Sequence, residues 1–141
     1  MSKIVIITGA GGYIGGQTAI YFKEQGWVVV GIDRRPCPPH LAQWYTSYHE
    51  AEFSSPKGLM WFTEYRPDAI VHCAGSSLVG PSIKDPRTYY ENNFIATKQL
   101  LDWMVEHGVH SKFIFSSSAA VYGDPVTTPI YEAEPKDPIS P

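Results

Sequence analysis

The sequence has only two cysteines, and their positions exclude most cysteine chemistry. Cys37 lies in a proline-rich loop and Cys73 closes an apolar run, which gives neither a metal-ligand spacing nor a disulfide framework. Long apolar runs are also lacking. The N-terminal "IVII" is too short for a signal-peptide core and meets glycines at once, and nothing approaches the ~18 apolar residues of a membrane span. A soluble, cytoplasmic protein with no membrane partner is expected. Charge of one sign is missing too: 11 Lys and Arg against 14 Asp and Glu give a net charge of -3, with the basic residues scattered. No electrostatic footprint for nucleic acid results. Charged residues make up 18% while hydrophobic ones reach 43%, a balance that favours buried, nearly continuous strands over a solvated surface. There is no internal repeat, and 141 residues suit one domain with a real core.

Five short apolar runs punctuate the chain: "KIVII", "WVVVGI", "SYHEAEF", "AIVHC" and "KFIFSS". The third is the weakest strand candidate, because Glu50 and Glu52 interrupt it. Between the runs lie helical patterns. The first covers about Tyr13 to Gln25, with Gly26 as its stop, and "PKGLMWFTEY" suits a short helix with Pro56 near its start. The longest helix is expected from Pro86 to His107, ending at Gly108. It carries two apolar stripes, one through Tyr90, Phe94, Thr97, Leu101 and Met104 and the other through Tyr89, Ala96, Leu100 and Trp103, so it calls for cover on both sides. Strands alternating with helices imply an α/β doubly wound parallel sheet, a Rossmann fold of about five strands in the order 3-2-1-4-5. A helix and at least one more strand would ordinarily follow, whereas the prolines at 125, 129, 135, 138 and 141 leave only loop after "FIFSSSAAVYGDP".

"TGAGGYIG" joins the first strand to the first helix, with glycines at Gly9, Gly12 and Gly15. Gly9 permits a tight turn, Gly12 lets backbone approach a pyrophosphate, and Gly15 allows close packing of the helix on the strand. The free N–H groups at the helix start, around Tyr13 and Ile14, then face the anion. Asp33 ends the second strand about 20 residues further on, where a carboxylate accepts hydrogen bonds from ribose hydroxyls. This pattern points to NAD. Arg34 and Arg35 directly behind Asp33 keep NADP as the minor alternative.

With these elements in hand, the whole chain resembles the extended short-chain dehydrogenase/reductase family and, within it, the UDP-glucose 4-epimerases. The resemblance rests on "TGAGGYIG", the strand end at Asp33, "VHCAGSSLVGPS", "DPRTYYENNFIATKQLL" and "FIFSSSAAVYGDP", in the family's order. It implies that Cys73, Ala74, Gly75 and Ser77 lie beside the cofactor's ribose or nicotinamide. Of the pair Asn92 and Asn93, Asn92 is the expected cofactor contact. Glu52 stands where an Asp commonly meets the adenine, and Phe53 would pack on that ring. Ser77 occupies a place where some members carry Lys, and Pro81 replaces a common Glu. By the same resemblance Ser118 is the catalytic serine that hydrogen-bonds the sugar near C4, and Ser116 lies closer to the nicotinamide. Related dehydratases and decarboxylases carry an acid before "VYG", where this chain has Ala119 and Ala120. Epimerisation is therefore expected rather than dehydration.

The implied reaction removes hydride from C4 of a UDP-hexose onto NAD and returns it to the other face. Members of the family use a tyrosine in a YxxxK motif as the base and continue after "PISP" with that tyrosine. The expectation is thus an NAD-binding domain truncated just before its base and without the C-terminal substrate region, whose own turnover is negligible. Tyr122 and Tyr131 have no lysine four residues later, and Lys136 is misplaced. A homo-oligomer, a dimer, is the expected assembly. The alternatives to the epimerase part are a free-standing dinucleotide-binding module and a remnant with no catalysis.

Overall fold

In the computed structural model, which describes residues 2–141, five parallel strands form one sheet in the order β3-β2-β1-β4-β5. They are β1 (Ile4–Thr8), β2 (Val28–Asp33), β3 (Ser47–Glu50), β4 (Ala69–His72) and β5 (Lys112–Phe115). The expected order is the observed one. The third and fifth are shorter than their apolar runs, because Ala51 to Phe53 and Ser116 to Ser117 leave the ladder as loops.

Burial on both faces explains the composition of the central strands. Along β1, Ile6 packs with Val30, Ile32, Ile70, Phe62 and Leu100 on one side of the sheet. Val5 and Ile7 point the other way, toward Val29, Ala19, Leu41 and Val71. The second side is covered by α1 (Tyr13–Glu24), which ends where Gly26 takes a φ of +79°. The first side is covered by α2 (Pro56–Tyr65) and by the long helical segment near residue 100. Ser55 caps α2 by accepting the Gly58 N–H at 3.1 Å, with Pro56 in its first turn. The Trp103 indole donates to the Thr63 hydroxyl at 2.9 Å and so ties the two helices together.

The long helix differs from its expected form. The chain first makes a short helix that the sequence reading did not anticipate, α3 (Val79–Lys84), and then α4 (Pro86–Tyr89), a π-helical segment over Tyr90–Ile95, and α5 (Ala96–Glu106). Gly108 provides the stop, at a φ of +61°. A π-helical turn shifts later residues around the axis, yet the stripe through Tyr89, Ala96, Leu100 and Trp103 stays against the core, and only the other stripe loses its continuity. Tyr89, Ala96, Leu100 and Met104 are buried, while Tyr90, Phe94, Leu101 and Val105 face outward without cover. Another short turn that the sequence did not announce, at Pro39–Trp44, seats Leu41 against α1. From Gly123 onward the chain forms turns and loop, as its prolines require. Among the described residues no helix is long and apolar enough to cross a membrane.

Candidate functional site

The C-terminal ends of the strands open into a groove of about 1000 Å³. Ligands of open parallel sheets bind at this edge, where the strand order reverses between β1 and β4. The chain leaves β1 through Gly9, whose φ is +67°. A Cβ there would stand 2.7 Å from the Ala74 nitrogen and 2.8 Å from the Cys73 carbonyl oxygen, so this glycine serves both the turn and the close approach of the chain leaving β4. Gly12 is the N-cap of α1, and no side chain caps the helix. Tyr13, Ile14 and Gly15 of its first turn line the groove. Uncapped N–H groups at a helix start favour an anion at that position.

Asp33 is 6% exposed and is held by the loops around it. Its Oδ2 accepts the Gly11 N–H at 3.0 Å, and its Oδ1 accepts the Arg35 backbone N–H at 2.9 Å and the Arg35 Nε–H at 3.3 Å. Oδ2 keeps acceptor capacity for a ligand hydroxyl. Arg34 and Arg35 both reach the groove. The sequence reading missed what lies beneath this carboxylate. Gly31 leaves room for two rings, since a Cβ at that position would be 2.8 Å from carbons of Tyr45 and Tyr48. Tyr45 donates its hydroxyl to the Ala10 carbonyl at 2.6 Å, and Tyr48 donates to the Arg35 carbonyl at 3.0 Å. The rings therefore brace both loops that meet at Asp33. A glycine interrupting the apolar strand "WVVVGI" was the available signal.

On the far side, Cys73, Ala74, Gly75 and Ser77 follow β4 and line the groove together with Asn92 and Asn93. Both asparagines fall in the π-helical segment, a form frequent at functional sites. Asn93 clamps the loop at two points, its Oδ1 accepting the Ser76 N–H at 2.7 Å and its Nδ2 donating to the Ser76 carbonyl at 2.9 Å. Asn92 donates to the Ser76 hydroxyl at 3.1 Å. Below them His72 is 1% exposed, bonded to Thr8 at 2.7 Å and to Thr97 at 2.9 Å. Neither this histidine nor its partners stood out in the sequence, where a lone His in an apolar run reads as core.

Glu52 and Phe53 reach the groove beyond β3. Phe53 is only 5% exposed and packs edge-on against the His72 ring at 4.8 Å, which makes it chiefly a core residue. Ser116 and Ser118 line the opposite wall. The Ser118 Oγ accepts the Ala120 N–H at 3.1 Å, which leaves its proton free to donate. Every position assigned above to the cofactor or to catalysis thus borders one groove. The glycine turn and uncapped helix start fit a pyrophosphate, and the buried carboxylate fits ribose hydroxyls, so the residues present suit a dinucleotide.

Comparison with known proteins agrees with this geometry. The model of the NAD dependent epimerase/dehydratase family matches residues 5–141. UDP-glucose 4-epimerase of Halalkalibacterium halodurans is 40% identical over 138 residues, which cover 97% of this chain and 41% of that protein. The crystal structure of UDP-glucose 4-epimerase from Brucella ovis in complex with NAD superposes with a TM-score of 0.87 at 33% identity, over 99% of this chain and 43% of that one. The enzyme from Bifidobacterium longum in complex with NAD+ and UDP gives 0.86 at 33% identity, over 96% and 43%. The chain spans about two fifths of the length of the relatives it matches. With a family match over nearly all of its residues, this chain belongs to the NAD dependent epimerase/dehydratase family.

Proposed function

We propose that this chain is the NAD-binding part of a nucleotide-sugar 4-epimerase of the UDP-glucose type. The observation that carries the reading is the single groove in which the glycine turn, the uncapped start of α1 and Asp33 converge. Gly9, Gly12 and the first turn of α1 hold the pyrophosphate, while Asp33 takes the adenine ribose hydroxyls. Cys73 to Gly75, Ser77, Asn92 and Ser116 border the remainder of the dinucleotide, and Ser118 donates to the sugar oxygen at C4. When bound, NAD supplies a reversible hydride acceptor. The 141 residues contain no YxxxK: neither the groove-lining Tyr13 and Tyr89 nor any other tyrosine has a lysine four residues later. Burial raises the phenol pKa of both Tyr45 and Tyr48, the wrong direction for proton abstraction near neutrality, and both hydroxyls are spent on backbone carbonyls. Tyr122 has the Lys136 ammonium over its ring face at 5.4 Å, not positioned as in a YxxxK pair. Lack of a base commonly costs about 10²- to 10⁴-fold in rate. On this reading the 141 residues hold NAD, and the base that would take the C4 hydroxyl proton is not among them.

Calorimetric titration with NAD tests this directly. Asp33→Ala is expected to weaken NAD binding about 10- to 100-fold, the equivalent of one or two hydrogen bonds to a charged group. NADP is expected to bind more weakly than NAD, because its added phosphate meets the same carboxylate. Saturable NAD binding unaffected by the Asp33 substitution would remove that carboxylate from the site, and no binding at all would sink the reading.

The uncovered apolar side chains Tyr90, Phe94, Leu101 and Val105, with the open edge at Ile114 and Phe115, support self-association of this polypeptide. Sedimentation at rising concentration should give a dimer. Phe94→Lys should shift it toward monomer, and a wild-type chain monomeric at about 100 μM would count against pairing.

A further inference from the structure

His72 is the largest polar side chain buried at the core of the sheet, and the binding reading above assigns it no role. Its hydrogen bonds have a direction that can be derived. The Thr97 hydroxyl donates its one proton to the Asn93 carbonyl at 2.6 Å, so toward His72 it can only accept. The Nε2 of His72 must therefore carry the proton, which makes Nδ1 the acceptor. Thr8 then donates to Nδ1, and its oxygen is free to accept the Ala74 N–H at 3.3 Å. A continuous chain results, buried at its centre and part-buried at its ends, running from the Ala74 amide through Thr8, His72 and Thr97 to Asn93. At one end it holds the residue against which Gly9 turns. At the other it holds the residue that clamps the backbone of Ser76. The faces of the imidazole are covered by Phe53, Phe113 and Phe115, with no charged partner on either nitrogen.

We propose that His72 is a positioning residue for the groove: acting through Thr97 and Asn93 it fixes the Gly75–Ser77 loop, and acting through Thr8 it fixes the Ala74 amide, in the form that receives the dinucleotide. The proposal rests on the NAD reading for its functional consequence, while the hold on the loop is a property of the chain alone. Thr8, His72 and Thr97 each donate once and accept once, so removing the Thr97 hydroxyl leaves the buried His72 Nε2–H without its acceptor and takes the side-chain partner from the Asn93 carbonyl. The loop then loses its register with the π-helical segment, although no residue that borders the groove has been altered.

The experiment compares Thr97→Val, which keeps the side-chain shape and removes the hydroxyl, with Thr97→Ser, which keeps the hydroxyl. In ¹⁵N-labelled protein, long-range ¹H–¹⁵N correlation of the imidazole should show His72 as the single Nε2–H tautomer. Hydrogen exchange at the Ser76 amide should accelerate at least tenfold in Thr97→Val and stay within about twofold of wild type in Thr97→Ser. Exchange at Ile6 and Ile7 in β1 should hold steady in both, which separates a loosened loop from a loosened fold. Calorimetry should show NAD binding weakened about tenfold by Thr97→Val and restored in Thr97→Ser. An Nδ1–H tautomer, unchanged Ser76 exchange in Thr97→Val, or equal losses in both variants would overturn the proposal. Should wild type fail to bind NAD, the functional reading falls, and Ser76 exchange still decides whether the relay holds the loop.

Discussion

Replacing Gly15 with alanine is expected to abolish NAD binding and to lower the unfolding free energy by about 3 kcal/mol, while the same replacement at Gly16 should leave both close to wild type. The two residues are neighbours in the first turns of α1, both are buried, and helix propensity alone favours alanine at each by about 1 kcal/mol. What differs is the obstacle. A methyl group on Gly15 overlaps the Gly9 carbonyl oxygen and lies 2.9 Å from its carbon and 3.0 Å from the Ala10 Cα. All of these are backbone atoms, and Gly9 cannot retreat because it is itself packed on the Cys73 and Ala74 backbone. The helix must therefore rise away from the turn, which moves the uncapped N–H groups from the anion position. A methyl group on Gly16 meets only the ends of Leu41, 2.7 and 3.1 Å from its Cδ atoms, and that side chain can rotate aside. Urea denaturation and NAD titration of the two variants check the contrast. Equal behaviour of the pair, or Gly15→Ala binding NAD like wild type, would mean that contact between helix and turn does not set the site.

The Gly15 contact was legible in the sequence because the spacing of glycines encodes backbone approach, and backbone geometry varies little from one Rossmann turn to another. The same holds for the sheet: "KIVII", "WVVVGI" and "AIVHC" can be buried on both faces only if strands run parallel between two helical layers, and Ile6 with Val5 and Ile7 divides between the layers accordingly. Legibility failed where a side chain's role depends on one distant partner. Tyr45 and Tyr48 matter because Gly31 opens a slot beneath Asp33, and no local pattern pairs residue 31 with 45. The π-helical segment escaped notice for a related reason. "YENNFIATKQLL" fits continuous helical spacing as written, and the register shift shows only in Tyr90 and Phe94 lying exposed beside buried Tyr89 and Ala96. That Asn93 spends both ends of its amide on the Ser76 backbone was likewise not legible, since it depends on a loop 17 residues away.

Acid should destabilise the fold well before its carboxylates are protonated, and the cause lies in the same buried histidine. Burial pushes the His72 imidazole down from its ordinary 6.5 to about 4, with no neighbouring charge to oppose it. In the unfolded chain the ring takes up a proton near pH 6.5, whereas the folded chain resists until about pH 4. Between these values the unfolded state binds more protons, so stability rises with pH across this window and is fully present only above it. As pH falls through the window the loss approaches about 3 kcal/mol, a substantial share of a small domain's stability. Protonation would also place a proton on Nδ1, so Thr8 could no longer donate to the ring and would have to turn its own proton elsewhere. His49, stacked on Trp61 and likewise lowered by burial, adds a slope of the same sign. Asp85, lowered by its bond to Thr88, loses its contribution only below its ordinary 3.8 and lies outside the window. Urea midpoints measured from pH 7 to pH 4 on wild type and His72→Gln isolate the term, because the variant cannot titrate and retains His49. Wild type should lose stability steeply across the range and the variant only gently, whatever its baseline. Parallel slopes would mean that the buried ring is free to charge in place, and the relay would then not depend on its neutral form.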